Sequence, residues 1–284
     1  MLNQNGNNQE NGENIHPNND IGNVHPPNHP TINETVLSNT IRAGGQRSFV
    51  IAGDNNLYAW GDNWSGTLGD GTGEHRPLNL YQPVRILDNV IFVSDGRAIT
   101  EDGTLWAWGD NRHGQIGDGT THTRYYPVPI RMANQVIAVS DGIWSTLAIT
   151  SDGQLWGWGR NDYGQLGDGT TIDRLHPIPI MSDVIAVSAS YLYTMAITSD
   201  GQLWGWGRNA YGQLGDGTIH DRHFPVPIME DIIAVSAGGS RTMAISRYGT
   251  LWAWGSNAGG GVGDGSSVNR LEPVRVALEY NVIS

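Results

Sequence analysis

Cysteine is absent from the 284 residues, which removes disulfides, thiol nucleophiles and thiolate zinc sites from consideration. Positive charge is scarce: 16 Lys and Arg stand against 28 Asp and Glu, a formal net charge of −12. A surface of that sign argues against nucleic acid, because few cations are available to displace counterions from phosphates, and it admits a basic protein partner. No apolar run approaches the roughly 18 residues of a membrane helix, so no membrane partner is expected. The opening MLNQNGNNQE has no basic start followed by an apolar stretch, so no signal peptide is expected within the sequence shown; a secreted and a cytoplasmic location both stay open. There is no Ser-His-Asp order, HExxH helix or phosphate loop, and neither catalysis nor a cofactor is expected.

What is abundant is glycine, 39 residues, and tryptophan, 11. Both excesses come from one motif. LWGWGRNDYGQLGDGT from Leu155 recurs as LYAWGDNWSGTLGDGT from Leu57, LWAWGDNRHGQIGDGT from Leu105, LWGWGRNAYGQLGDGT from Leu203 and LWAWGSNAGGGVGDGS from Leu251, a period of 48 to 50 residues. A fixed period of this length marks a propeller or solenoid, and it governs how every local motif is read, since a catalytic loop is seldom copied into each repeat.

Residues 1–35 differ from the rest. They are Asn-rich, contain Pro17, Pro26, Pro27 and Pro30, and carry acidic residues but no Lys or Arg. Too little apolar surface is present to offset chain entropy, so a disordered tail or linker is expected there, with His16, His25 and His29 as solvated side chains. Residues 36–284 form the repeat array.

Each repeat holds four short extended runs, in the third unit VIAVSD from Val136, STLAITS from Ser145, LWGWG from Leu155 and HPIPIM from His176. The second and third are joined by Ser-Asp-Gly, a tight turn in which Asp-Gly is expected to supply positive φ. Proline is confined to the last run, as suits an outer strand. The fold class expected is therefore all-β: a β-propeller of five blades, each of four antiparallel strands.

Alternation along the strand puts Trp156 and Trp158 on one face and Leu155 and Gly157 on the other. Stacked blades bury both faces, and at roughly 200 Å² per indole and about 25 cal/mol per Å² each tryptophan contributes on the order of 5 kcal/mol gross. Asp70, Asp118, Asp168, Asp216 and Asp264, with Arg76, Arg124, Arg174, Arg222 and Arg270 six residues later, read as turn caps with an ion pair rather than a repeated ion site. Asn63, Asn111, Asn161, Asn209 and Asn257 read as turn formers on the same grounds. The spacing of His220, Asp221 and His223 does not establish a metal site, and none is expected.

The intact Trp-Gly-x-Asn-x-x-Gly-Gln-Leu-Gly core of units three and four, followed by a Pro-containing strand and VIAVS, resembles the repeat of the regulator of chromosome condensation family, in its bacterial form, over residues 36–284. That resemblance implies a β-propeller, most often of seven blades. It also implies functions: inhibition of β-lactamases through aromatic loop residues by a secreted bacterial member, or nucleotide exchange on a small GTPase by eukaryotic members. The chain departs from the pattern in three ways. The His that often precedes the second-strand Thr is replaced by Arg47, Ser145, Tyr193 and Arg241; unit two reads VSDGRAIT where unit three reads VSDGIWSTLAIT; and five units are present. The final NVIS resembles the start of a sixth copy of the VIAVS strand, so closure as a five-bladed ring with one redundant strand is expected, with a truncated piece of a longer propeller, or association that completes the ring, as the alternatives.

Where repetition marks scaffold, function belongs to the positions that differ. The loop into the second strand varies most, and Ile143, Trp144, Tyr191, Leu192 and Tyr193 from units three and four are expected to form one aromatic patch. A second variable position before the central glycine of the motif holds Trp64, His113, Tyr163 and Tyr211. Aromatic residues at loop tips bury much area while ordering few torsions, so these nine residues are the expected contacts to a protein partner.

Overall fold

A computed structural model describes residues 40–73, 79–278 and 282; the expected tail, Arg76 and His75 lie outside them. Twenty strands form five sheets of four, each an antiparallel meander. Blade one comprises β1 (Ile41–Gly44), β2 (Arg47–Ile51), β3 (Leu57–Gly61) and β4 (Leu80–Leu87). Blade two comprises β5 (Val90–Ser94), β6 (Arg97–Thr100), β7 (Leu105–Gly109) and β8 (Arg124–Ile130). Blade three comprises β9 (Val136–Asp141), β10 (Ser145–Thr150), β11 (Leu155–Gly159) and β12 (Arg174–Met181). Blade four comprises β13 (Val184–Ser190), β14 (Tyr193–Thr198), β15 (Leu203–Gly207) and β16 (Arg222–Met229). Blade five comprises β17 (Ile232–Gly238), β18 (Arg241–Ser246), β19 (Leu251–Gly255) and β20 (Arg270–Arg275). The protein is a β-propeller of five four-stranded blades.

The Ser-Asp-Gly hairpin differs from expectation in one respect. Gly153 alone takes the left-handed conformation, at φ +77°, while Asp152 stays at negative φ. Its carboxylate instead accepts from Thr150 Oγ1 at 2.7 Å, so Asp braces the turn through its side chain and leaves the positive φ to the residue without a Cβ.

The core lies between blades. Leu147, Ile149 and Leu155 of blade three pack against Val184, Ala196 and Trp206 of blade four, and the same layer recurs at each of the other three junctions. Trp158, Trp206 and Trp254 are fully buried. The small partner that receives each indole is the first glycine of the preceding blade's Gly-Asp-Gly turn: a Cβ on Gly117 would lie 2.6 Å from Trp158 Nε1. The indole also donates across the junction, from Trp158 to the Gln115 carbonyl at 3.1 Å and from Trp206 to the Gln165 carbonyl at 3.0 Å.

The ends of the array are more open. Met243, whose counterparts Leu147 and Met195 are fully buried, is 39% exposed, and Trp60 is less buried than the four indoles that follow it at the same position. The strand pairing expected to shut the ring is absent among the described strands: β1 pairs only with β2, and β20 only with β19. Val282 donates its amide to the Gly249 carbonyl at 2.9 Å, repeating the bonds that start the first strands of blades two to five; the rest of NVIS lies outside the described residues.

Candidate functional site

The repeated polar residues build rigid turns at one end of each blade. Asn161 is wholly buried; its Oδ1 accepts from the Leu166 amide at 2.9 Å and its Nδ2 donates to Asp168 at 2.9 Å. Arg174 clasps the same Asp168 from Nε at 2.7 Å, and Asp118–Arg124, Asp216–Arg222 and Asp264–Arg270 repeat the clasp. Burial works against the charge of Asp168, but hydrogen bonds from Thr170 and Arg174 outweigh it and hold the carboxyl below its ordinary range. These side chains are consumed by their own turns.

Strand direction places the loop between the first and second strands of a blade at the same end as the turn after its third strand, so both variable sets share one face. Trp64 is 66% exposed there and Tyr191 58%; Ile143 and Tyr211 are also exposed, while His113, Trp144, Tyr163 and Leu192 are half-buried. The rings are linked across blades. His113 of blade two lies 5.4 Å from the Trp144 ring of blade three, and its Nδ1 meets Asp173 Oδ2 at 3.0 Å. The Arg160 guanidinium sits 4.6 Å over the Trp144 ring, and Arg208 of blade four 5.2 Å from the Tyr163 ring.

Two expectations are corrected. Tyr193 is 1% exposed: its hydroxyl donates to the Arg241 carbonyl at 2.5 Å and accepts from the Gly238 amide at 3.2 Å and Thr242 Oγ1 at 3.1 Å, so it joins blades four and five instead of facing a partner. Burial raises its pKa to about 12. Nor do units three and four make one patch. Ile143 and Trp144 line a cavity at blades one to three, whereas Tyr191, Leu192 and the buried Tyr193 line a smaller one of about 220 Å³ with Arg208, Gln213, Gly239 and Ser240.

The first cavity, about 370 Å³, was not foreseen, although its cause is visible in the shortened unit two. VSDGRAIT lacks the four residues that would match Ile143 to Thr146 of unit three. Arg47, Tyr193 and Arg241 open their second strands opposite Gly61, Gly207 and Gly255, but Arg97 opens β6 opposite Ala107, two residues below the matching Gly109. Blade two therefore stops short at the loop face and leaves a notch flanked by Trp64 of blade one and Ile143 and Trp144 of blade three.

Charged side chains form the floor of this notch. Arg97 is buried; it donates to the Gln115 carbonyl at 2.6 Å, the Gly96 carbonyl at 2.8 Å and Thr146 Oγ1 at 3.0 Å, and lies 3.7 Å from Asp141. Asp141 accepts from Ser94 Oγ, but its Oδ1 has no hydrogen-bond partner, and burial raises its pKa against the opposing charge of Arg97. Arg47 grips Asp95 with two bonds of 2.7 and 2.9 Å, so its guanidinium stays charged. No group of three or more metal-ligating side chains occurs among the described residues.

A sequence model described as the RCC1-like domain matches residues 3–284. No curated protein sequence matches the chain. Similar solved structures include human WBSCR16, with a TM-score of 0.75 and 22% identity over 86% of this chain and 68% of that one. A structure of Kap60 bound to yeast RCC1 (Prp20) matches with a TM-score of 0.63 and 16% identity over 84% and 74%. Prp20p from Saccharomyces cerevisiae matches with a TM-score of 0.50 and 17% identity over 84% and 76%, and that protein is described together with its binding to Gsp1p and histones. At these identities the likeness is one of fold.

Proposed function

The chain belongs to the RCC1-like domain family, and from that premise we propose that it is a non-enzymatic scaffold that binds a protein partner through the loop face of its propeller. The observation that carries this reading is the division of labour between positions. Side chains that repeat in every unit are buried or clasped within their own turns, whereas Trp64, Ile143, Tyr191 and Tyr211, which break the repeat, stand exposed at one end. Aromatic anchors on a rigid framework reach a partner with little ordering cost. The yeast relative's structure with Kap60 supports the same class of function.

Affinity capture from native extract with quantitative mass spectrometry tests the reading. The bait is wild type, a loop-face variant (Trp64→Ala, Trp144→Ala, Tyr191→Ala), or an opposite-end variant (Glu101→Ala, Glu230→Ala). The expected result is a protein recovered by wild type and the opposite-end variant and lost from the loop-face variant. Equal recovery on all three baits would overturn it. Class A β-lactamases and small GTPases are the first partner classes to assay, by inhibition and by nucleotide exchange.

A further inference from the structure

The notch over blade two holds an uneven set of charges. Its lining carries three guanidiniums, Arg47, Arg97 and Arg112, and four carboxylates, Asp62, Asp95, Asp110 and Asp141. Arg47 is matched by Asp95, Arg112 by Asp110 at 2.9 Å, and Arg97 by Asp141 and three backbone carbonyls. Asp62 is the surplus carboxylate. Its nearest cation among the described residues is Arg47, whose Nη1 lies 3.9 Å away while its Nε and Nη2 bind Asp95, and no hydrogen bond from a described residue reaches its side-chain oxygens. The Oδ1 of Asp141 accepts no hydrogen bond but is buried and lies 3.7 Å from Arg97 Nε, so Asp62 is the acceptor left for a ligand. The exposed side chains of Trp64 and Ile143 and the half-buried Trp144 line the same cavity.

A surplus carboxylate and apolar rings lining one cavity suit a long side chain with a methylene stem and a cationic head. An anionic group would meet the surplus carboxylate with every arginine already paired, and an apolar group would leave Asp62 without a donor. The net charge of −12 attracts the same kind of ligand at longer range. We propose that this notch, created by the four-residue shortening of unit two, receives a Lys or Arg side chain of the protein partner, its head against Asp62 and its stem along Trp64. The proposal rests on the partner-binding reading above and names the chemistry that the partner must present.

The test uses the full chain and defined probes. Two-dimensional ¹H–¹⁵N spectra are titrated with the N-acetyl, N-methylamide derivatives of lysine, arginine, norleucine and glutamate. Saturable shifts are expected with the two cationic probes at the indole NH groups of Trp64 and Trp144 and at the amides of Gly96 and Gly142. Binding of the norleucine and glutamate derivatives is expected to be at least about fivefold weaker. Asp62→Asn, at a partly exposed position, should weaken lysine binding about fivefold while leaving the remainder of the spectrum unchanged, which separates a lost contact from a lost fold. Norleucine binding as well as lysine, glutamate binding better, or shifts confined to other sites would each overturn the proposal. The capture experiment is read separately: if it fails while lysine still binds here, the partner reading falls and a cation site remains; if lysine fails while capture succeeds, only the notch assignment falls.

Discussion

Arg97 donates to the main-chain carbonyl of Gln115 at 2.6 Å, and that same oxygen receives Thr146 Oγ1 at 3.0 Å and the Trp158 indole at 3.1 Å. At the junction of blades three and four, by contrast, the Gln165 carbonyl receives only Thr194 Oγ1 and the Trp206 indole. The guanidinium sits in the row that Phe49, Leu147 and Met195 fill in their blades, so a charge replaces an apolar contact where blade two is short.

Removing that charge should be costly. Arg97→Ala leaves Asp141 buried without its cation and is expected to destabilise the protein by about 3 kcal/mol. The double variant Arg97→Ala, Asp141→Asn should recover part of the loss, because the uncompensated charge has gone. Urea unfolding of both checks this; additive losses in the pair would show that the two groups do not act together.

Glycine at the blade junction separates steric fit from backbone conformation. Gly117 (φ +89°) faces Trp158 Nε1 at 2.6 Å from a would-be Cβ, while Gly169 (φ +80°) has nothing within 4 Å. Gly169→Ala should cost about 1 kcal/mol, the left-handed penalty alone, and Gly117→Ala about 2 kcal/mol more, since the indole must shift. Thermal unfolding of the two variants gives the difference.

Tyr193→Phe should destabilise the junction of blades four and five by about 1 to 2 kcal/mol, because the Arg241 carbonyl loses a buried donor. Tyr191→Ala, at an exposed tip, should stay within about 0.5 kcal/mol of wild type. The folded pKa of Tyr193, about 12, is raised from the ordinary tyrosine value of 10.0, so its contribution is complete below about 10 and is lost as pH rises through about 12. Absorbance at the phenolate band, compared between wild type and Tyr193→Phe, reports the late-titrating group.

Acid acts on the repeated clasps. Burial opposes the charge of Asp264, yet bonds from Arg270, Ser266 and Asn257 bring its pKa to about 2 from the ordinary aspartate value of 3.8, and those of Asp118, Asp168 and Asp216 are lowered too. A depressed folded pKa gives stability that is complete above the unfolded value and is lost as pH falls through the folded one. The urea midpoint should therefore fall between about pH 4 and pH 2, less steeply in Asp264→Asn.

Much of the fold is legible in the chain alone. The 48 to 50 residue period, the Trp-x-Trp alternation and proline in every fourth run specify five four-stranded blades, since each follows from strand geometry within a few residues. The Asn, Asp and Arg positions that recur identify themselves as turn structure for the same reason. The sequence also locates the variable loops, and the missing four residues of unit two mark where blade two is short. Only the tertiary structure decides what those differences become. It turns Tyr193 inward, sends Ile143 and Trp144 to one cavity and Tyr191 and Leu192 to another, and sets Asp62, Arg47, Asp95, Arg97 and Asp141 around one notch. These residues come from three blades, separated by up to 94 positions between Arg47 and Asp141, and their contacts depend on how blades pack side by side rather than on any local pattern.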